Sequence, residues 1–273
     1  MTPDIPDKLD PFLKWAGGKR WLAKSGELQP PLGYRRYFEP FLGGGAMFFH
    51  LRPGKAILSD LNPDLIELYQ VMRDHAAELH SAMAGHHEKH NADYYYKVRS
   101  SVPTGSVGRA ARTLYLNRTC WNGLYRVNQR GEFNVPIGTK TRVLFPGESF
   151  GRYAEALSSA TLVCSDFEAT ISEAREGDFL FVDPPYTARH NKNGFLKYNE
   201  SMFSWDDQVR LHSSVVSAAA RGAAVAVTNA DHASVLSLYE GAFAYRKLHR
   251  ASVLAGRADC RGATTEALFT ANL

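Results

Sequence analysis

An acid, two prolines and an aromatic ring close the run Phe179-Leu180-Phe181-Val182-Asp183-Pro184-Pro185-Tyr186. The prolines fix two φ angles and remove two backbone donors, leaving carbonyls that can only accept hydrogen bonds. Beside them stand the Asp183 carboxylate and the Tyr186 ring. The matching substrate is flat, has an NH2 group to donate and offers a π face, and the exocyclic amine of a nucleobase meets all three conditions. Its lone pair is conjugated into the ring and is a poor nucleophile. Two acceptors on its hydrogens hold it in line with an electrophile and draw it toward tetrahedral geometry. The chemistry that Asp183, Pro184, Pro185 and Tyr186 suit is therefore methyl transfer to nitrogen, and the plainer alternative is a strand followed by a stiff turn.

The run before Asp183 is short, aromatic and β-branched, which predicts a central parallel strand buried on both faces. The carboxyl end of such a strand is where an open α/β sheet binds ligands. Earlier, Tyr37-Phe38-Glu39-Pro40-Phe41-Leu42-Gly43-Gly44-Gly45-Ala46 reads as strand, glycine corner and helix through Leu51, a doubly wound unit whose glycines let a cofactor touch the main chain. Glu39, Phe41 and Gly43 are candidate cofactor residues. The spacing is not Gly-x-Gly-x-x-Gly, which counts against a dinucleotide. A strand over Ala56 to Ser59 ends at Asp60, placed to accept from ribose hydroxyls or equally to cap the next helix, which Asn62, Pro63 and the periodic Leu65, Ile66, Leu68, Tyr69 and Met72 announce. A further strand, Thr161 to Ser165, ends at Asp166 with Phe167 after it. Strands ending at Glu39, Asp60, Asp166 and Asp183 put four carboxylates along one sheet edge. Acids with aromatics between them suit a nucleoside-bearing cofactor with a cationic part, and S-adenosylmethionine offers an adenine to Phe167, a ribose to Asp60 and a charged amino acid to the rest.

The chain has 273 residues and a net charge of +4, long enough for a domain with a sizeable insertion and leaning toward a polyanionic partner. Cys120, Cys164 and Cys260 are scattered without a Cys-x-x-Cys pair, which indicates neither a disulfide framework nor a zinc site and fits a reducing cytoplasm. No apolar run approaches a membrane span. The expected organisation is a catalytic domain from 1–69 and 151–273, with 70–150 inserted as a mostly helical segment. His75, His80, His86, His87 and His90 crowd that segment, but without His-Glu-x-x-His spacing they read as a solvated helix face, and no metal is expected. Of Tyr94, Tyr95 and Tyr96, at least one must enter the core.

Within residues 117–138 the second half alternates around a glycine-containing turn, so Tyr125, Val127, Phe133 and Val135 share one face of a hairpin while Arg126, Asn128 and Asn134 face the other way. Such a ribbon fits a major groove, where Arg reads guanine and Asn reads adenine; an ordinary surface hairpin is the alternative. Asn117, Arg118, Trp121, Asn122, Lys140 and Arg142 extend this candidate duplex-facing set. After the catalytic corner, Thr187 to Tyr198 reads as a mobile loop. Ser204 with Asp207 caps a helix burying Leu211, Val215 and Val216 and ending at Gly222. Ala223 to Thr228 is the next buried strand, Arg257 to Arg261 a basic loop, and Ala267 to Thr270 a closing strand.

Leu-Lys-Trp-Ala-Gly-Gly-Lys (13–19), Glu-Pro-Phe-Leu-Gly-Gly-Gly (39–45), Ser-Asp-Leu-Asn (59–62), Ser-Asp-Phe (165–167) and Asp-Pro-Pro-Tyr (183–186) together resemble the Dam-type, alpha-group DNA adenine-N6 methyltransferases. The resemblance covers nearly the whole chain in the family's order. It implies a Rossmann-like methyltransferase sheet with helices on both faces and an inserted target-recognition domain at 70–150. It further implies that Trp15, Lys19, Asp60, Asp166, Phe167 and Asp183 line an S-adenosylmethionine site while Asp183, Pro184 and Tyr186 hold a flipped adenine. By the same resemblance, Arg126 contacts guanine, Asn122 a phosphate, Trp121 wedges between bases and Lys14 reaches a base; Lys140 and Arg142 hold phosphates. The implied protein is a cytoplasmic, DNA-associated enzyme of a prokaryote or phage, monomeric or weakly dimeric. Cytosine N4 is the rival acceptor, though those enzymes more often carry Ser-Pro-Pro-Tyr. A non-catalytic DNA-binding regulator is the rival of another class, and the intact glycines and acids weigh against it.

Overall fold

The computed structural model describes residues 9–187, 203–251 and 263–273. Seven strands are defined among them: β1 (Tyr37–Glu39), β2 (Ala56–Asp60), β3 (Ala160–Cys164), β4 (Phe179–Val182), β5 (Ala224–Ala230), β6 (Ala244–Ala251) and β7 (Ala263–Ala271). The chain forms two compact units, one of Met1–Ala23, Leu42–Arg52 and Asp60–Cys164, the other of Lys24–Phe41, Pro53–Ser59 and Ser165–Leu273.

In the second unit the strands lie in the order β2-β1-β4-β5-β7-β6. β1 pairs in parallel with β2 and β4, β4 with β5, and the sheet ends in antiparallel β7 and β6. All four residues of β4 are buried, as its apolar run predicts. Their side chains alternate. Leu180 and Val182 join Leu211, Val215, Val225, Val227 and Phe269 in one core, while Phe179 packs against Tyr34 and Tyr37. The helices Phe167–Ser172, Trp205–Ala220 and Ala233–Tyr239 flank this sheet. Ser204 and Asp207 form the expected capping box, and the helix stops before Gly222, whose φ of 86° favours glycine. The chain leaves β1 toward β2 on one side and returns to β4 on the other, so the carboxyl ends of β1 and β4 flank a topological switch point. Glu39 ends β1 and Asp183 follows β4 directly.

Two strands run beyond their expected limits, and both extensions matter. β5 continues past the expected Thr228 to Ala230, so Asn229 lies within it too, and β7 begins at Ala263, so Glu266 lies within that strand. The loop over 188–198 and the basic loop over 257–261 lie outside the described residues.

The first unit is mostly helical, with Pro63–Asp74, Ala76–Lys89, Ala92–Ser100, Ser106–Thr119 and Phe150–Leu157. Asn62 caps the first of these by accepting from the backbone N–H groups of Asp64 and Leu65, and Pro63 occupies its opening turn. Leu65, Ile66, Leu68, Tyr69 and Met72 are all buried, as their period predicts. Phe12, Phe49, Tyr69 and Tyr153 form an aromatic cluster. Of the three adjacent tyrosines, Tyr95 is buried, its hydroxyl donating to the Val135 carbonyl at 2.9 Å. The solvated histidine face is corrected. His86 stacks on Tyr115 at 4.7 Å, His90 Nδ1 bonds the Tyr115 hydroxyl at 2.8 Å, and burial lowers the His86 pKa to about 4. Of the five, His75, His80 and His87 are exposed as expected, and His86 and His90 are half-buried. Among the described residues no helix is long and apolar enough to cross a membrane.

Candidate active site

The Asp183–Tyr186 corner belongs to the second unit, where the parallel register of Val182 with Val227 sets the next residues, Asp183 and Thr228, side by side. The Thr228 hydroxyl donates to Asp183 Oδ1 at 2.7 Å. Antiparallel pairing of Ala230 with Glu266 then brings a carboxylate to the same end of the sheet, and the Tyr186 hydroxyl donates to Glu266 Oε2 at 2.6 Å. Burial, then the charges of Asp183 and Glu266, hold the Tyr186 phenol well above its usual pKa, so it stays protonated. The residue as a whole is half-buried. The Pro185 carbonyl accepts from buried Gln208 Nε2 at 3.4 Å, the long end of a hydrogen bond, and Gln208 Oε1 accepts from Asn229 at 3.0 Å. The corner is thus an acid and a ring tied to the sheet beside carbonyl acceptors.

The rest of this unit's predicted set surrounds β1 and the turn after β3. Glu39, 3 % exposed, accepts from the Tyr37 hydroxyl at 2.8 Å. Phe41 stacks on Phe167 at 5.4 Å, and the Arg210 guanidinium stands 4.9 Å from the Phe167 ring centre. Phe167 is only 5 % exposed whereas Phe41 is half-buried, so Phe41 presents more ring to a ligand. Asp166 caps the helix Phe167–Ser172 by accepting from the Glu168 N–H, and it pairs with Arg210 at 3.1 Å.

The first unit holds Trp15, Lys19, Gly43 and Asp60 together. Asp60 Oδ2 accepts from the Gly43 N–H and Oδ1 from the Asn62 N–H, each at 3.0 Å. Burial raises its pKa against these lowering bonds. Asp60 therefore fixes the glycine turn, and the helix cap is Asn62. Gly43 has a φ of 46°, and a Cβ there would lie 2.7 Å from Trp15 Cδ1, so only glycine fits the approach of the indole. The Tyr69 hydroxyl closes the turn by donating to the Gly43 carbonyl at 3.1 Å. Lys19, 3 % exposed, donates to the Gly17 carbonyl at 2.8 Å.

These features of the first unit fit a nucleoside sulfonium: a backbone turn stripped of side chains, the Asp60 carboxylate that accepts from its N–H groups, and the Trp15 indole beside the turn. The profile of the D12 class N6 adenine-specific DNA methyltransferases matches residues 15–253. The chain belongs to that family. It is 36 % identical over 271 residues to the Type II methyltransferase M1.LlaDCHI of Lactococcus lactis subsp. cremoris, covering 96 % of this chain and 95 % of that one. It is 38 % identical over 206 residues to the DNA adenine methylase of Serratia marcescens, covering 73 % and 75 %. The DNA N-6-adenine-methyltransferase of Escherichia phage P1 matches at 35 % over 262 residues, 94 % of this chain and 35 % of that longer protein.

As a D12-class enzyme, the protein needs a surface for DNA, and the expected residues divide into two kinds. Lys14, Trp121, Asn122, Arg126, Lys140 and Arg142 are exposed, Trp121 by 52 %. Asn117 and Arg118 are buried instead. Asn117 bonds the backbone of Lys14 in both directions, at 3.0 and 2.7 Å. Arg118 pairs with Glu148 and donates to the carbonyls of Val143 and Phe12. They sit in the last turn of the helix Ser106–Thr119, which faces inward, so their geometry is that of supports rather than of groups reaching a phosphate.

The expected hairpin is compact and lacks a regular ladder. Val127 and Phe133 form a single antiparallel bridge, and Tyr125 packs against Phe133 at 5.9 Å. Asn128 Oδ1 accepts from the N–H groups of Arg130 and Glu132, which makes this side chain a builder of the turn. Arg126 Nε donates to Asn134 Oδ1 at 2.7 Å, so Asn134 orients the arginine from the opposite arm.

Sequence reasoning missed Thr228, Glu266, Gln208 and Asn229. The usable signal was polarity at the ends of apolar runs, Thr228-Asn229 after Ala223 to Val227 and Glu266 before Ala267-Leu268-Phe269.

Proposed function

We propose that the protein transfers a methyl group from S-adenosylmethionine to N6 of an adenine extruded from a short duplex DNA site. The carrying observation is the Asp183 carboxylate at the switch point, held by Thr228 beside the Pro-Pro carbonyls and the Tyr186 ring. N6 inside a duplex is paired and cannot be approached in line, so the base must leave the stack. Asp183 and the Pro184 carbonyl accept the two amine hydrogens, and Tyr186 stacks on the purine. When bound, S-adenosylmethionine supplies a methyl carbon made electrophilic by its sulfonium. The nitrogen lone pair forms the new N–C bond as the C–S bond breaks with its electron pair left on sulfur. The amine proton becomes acidic only after methylation, so Asp183 acts as acceptor and positioner before it receives that proton.

Trp15, Lys19, Glu39, Phe41, Gly43, Asp60, Asp166, Phe167 and Asp183 are proposed to serve the cofactor, with Asp60 taking the ribose hydroxyls. Residues 70–150 are proposed to read the target. Arg126 contacts a guanine, Trp121 acts as wedge, Asn122, Lys140 and Arg142 hold phosphates and Lys14 reaches a base. Asn117, Arg118, Asn128 and Asn134 hold those groups in place. A cytoplasmic, DNA-associated location follows from this substrate. The test is tritiated methyl transfer to duplex DNA followed by chromatography of the modified bases. Label in N6-methyladenine is expected, and label in N4-methylcytosine, or none, overturns the proposal.

A further inference from the structure

β5 and β7 present a hydroxyl and a carboxylate to the catalytic corner that the reaction as described does not use. Thr228 is fully buried, with Oγ1 donating to Asp183 Oδ1 at 2.7 Å and the Val182 carbonyl a second acceptor at 3.4 Å. Glu266, 2 % exposed, accepts from the Tyr186 hydroxyl at 2.6 Å. A buried hydroxyl or carboxylate is costly unless it is bonded, and a valine or leucine in these strands would avoid that cost. Thr228 follows four buried apolar residues of β5, Ala224 to Val227, so its polarity serves something other than the core. The rotation that aims a carboxylate, χ2 of Asp, is intrinsically broad and roughly two-fold. An unpinned Asp183 would sample planes that miss the amine.

We propose that Thr228 and Glu266 are positioning residues for the transfer step, Thr228 setting the plane of the Asp183 carboxylate and Glu266 fixing the Tyr186 ring. The inference rests on the reading of Asp183 and Tyr186 as the groups that hold adenine. Both supports stand on backbone ladders, Val182 with Val227 and Ala230 with Glu266, so their alignment is set by the sheet before any ligand binds.

The experiment compares Thr228→Val, Thr228→Ser, Glu266→Leu and Asp183→Ala with the unaltered enzyme in single-turnover methyl transfer, with duplex affinity and thermal unfolding measured alongside. Thr228→Val is expected to slow transfer by about tenfold to a hundredfold, the scale of a small misplacement of reacting groups. Its duplex affinity and unfolding midpoint are retained, and Thr228→Ser recovers most of the rate. Glu266→Leu slows transfer in the same way. Unaltered transfer in Thr228→Val overturns the role of Thr228, as does equal impairment of the valine and serine variants. Unaltered transfer in Glu266→Leu overturns the role of Glu266. Asp183→Ala separates the two levels: if it remains active, the reading of the corner itself fails, whereas an inactive Asp183→Ala beside a fully active Thr228→Val sinks only the positioning inference.

Discussion

The corner at 183–186 and the segment at 121–142 are built on opposite principles. Asp183 and Tyr186 follow a strand whose residues are all buried, and each is tied by a short hydrogen bond, Asp183 to the adjacent β5 and Tyr186 to β7 beyond it. Trp121, Arg126, Lys140 and Arg142 are exposed on a stretch held by one isolated bridge at Val127 and Phe133 and another at Cys120 and Ile137. On the proposed reading, chemistry that tolerates little displacement is mounted on the sheet, and groups that must meet a long, charged partner stand on loops.

Substitutions at the two regions should fail in different ways. Phe181→Ala, in the strand beneath the corner and 1 % exposed, is expected to cost about 3–5 kcal/mol of stability. Denaturant unfolding measures it, and a loss below about 1 kcal/mol would mean that β4 is not the core element it appears by burial. Arg126→Ala should leave stability unchanged and remove about 1–3 kcal/mol of discrimination at one guanine. Methylation rates on duplexes altered one base pair at a time give that number, and an unchanged preference denies the hairpin a reading role. Lys140→Ala is the mildest, weakening all duplexes alike and lowering the salt slope of binding by about 1. A change confined to one sequence would place Lys140 among the base readers.

Local signals survived into the structure because they depend on neighbours in sequence. Asn62-Pro63, the Ser204 and Asp207 capping box, the glycine turn at 43–45 and the apolar run at 179–182 are each decided within a few residues. Thr228 and Glu266 were illegible for the converse reason. They meet the corner only through the pairing of β5 with β4 and β7, and register between distant strands is not written in either strand alone. Asn117 and Arg118 misled because polar residues in a helix read as surface until the packing of its last turn is known. The histidines of 75–90 misled similarly, since His86 and His90 gain their partner Tyr115 from another helix.

The account stands or falls on the Asp183 carboxylate. Single-turnover methyl transfer by Asp183→Ala, with duplex binding measured on the same preparation, should show transfer reduced by at least about a thousandfold, the upper range for losing a group that stabilises the transition state, while the duplex is still bound. Transfer at the unaltered rate by a variant that binds DNA normally would contradict it.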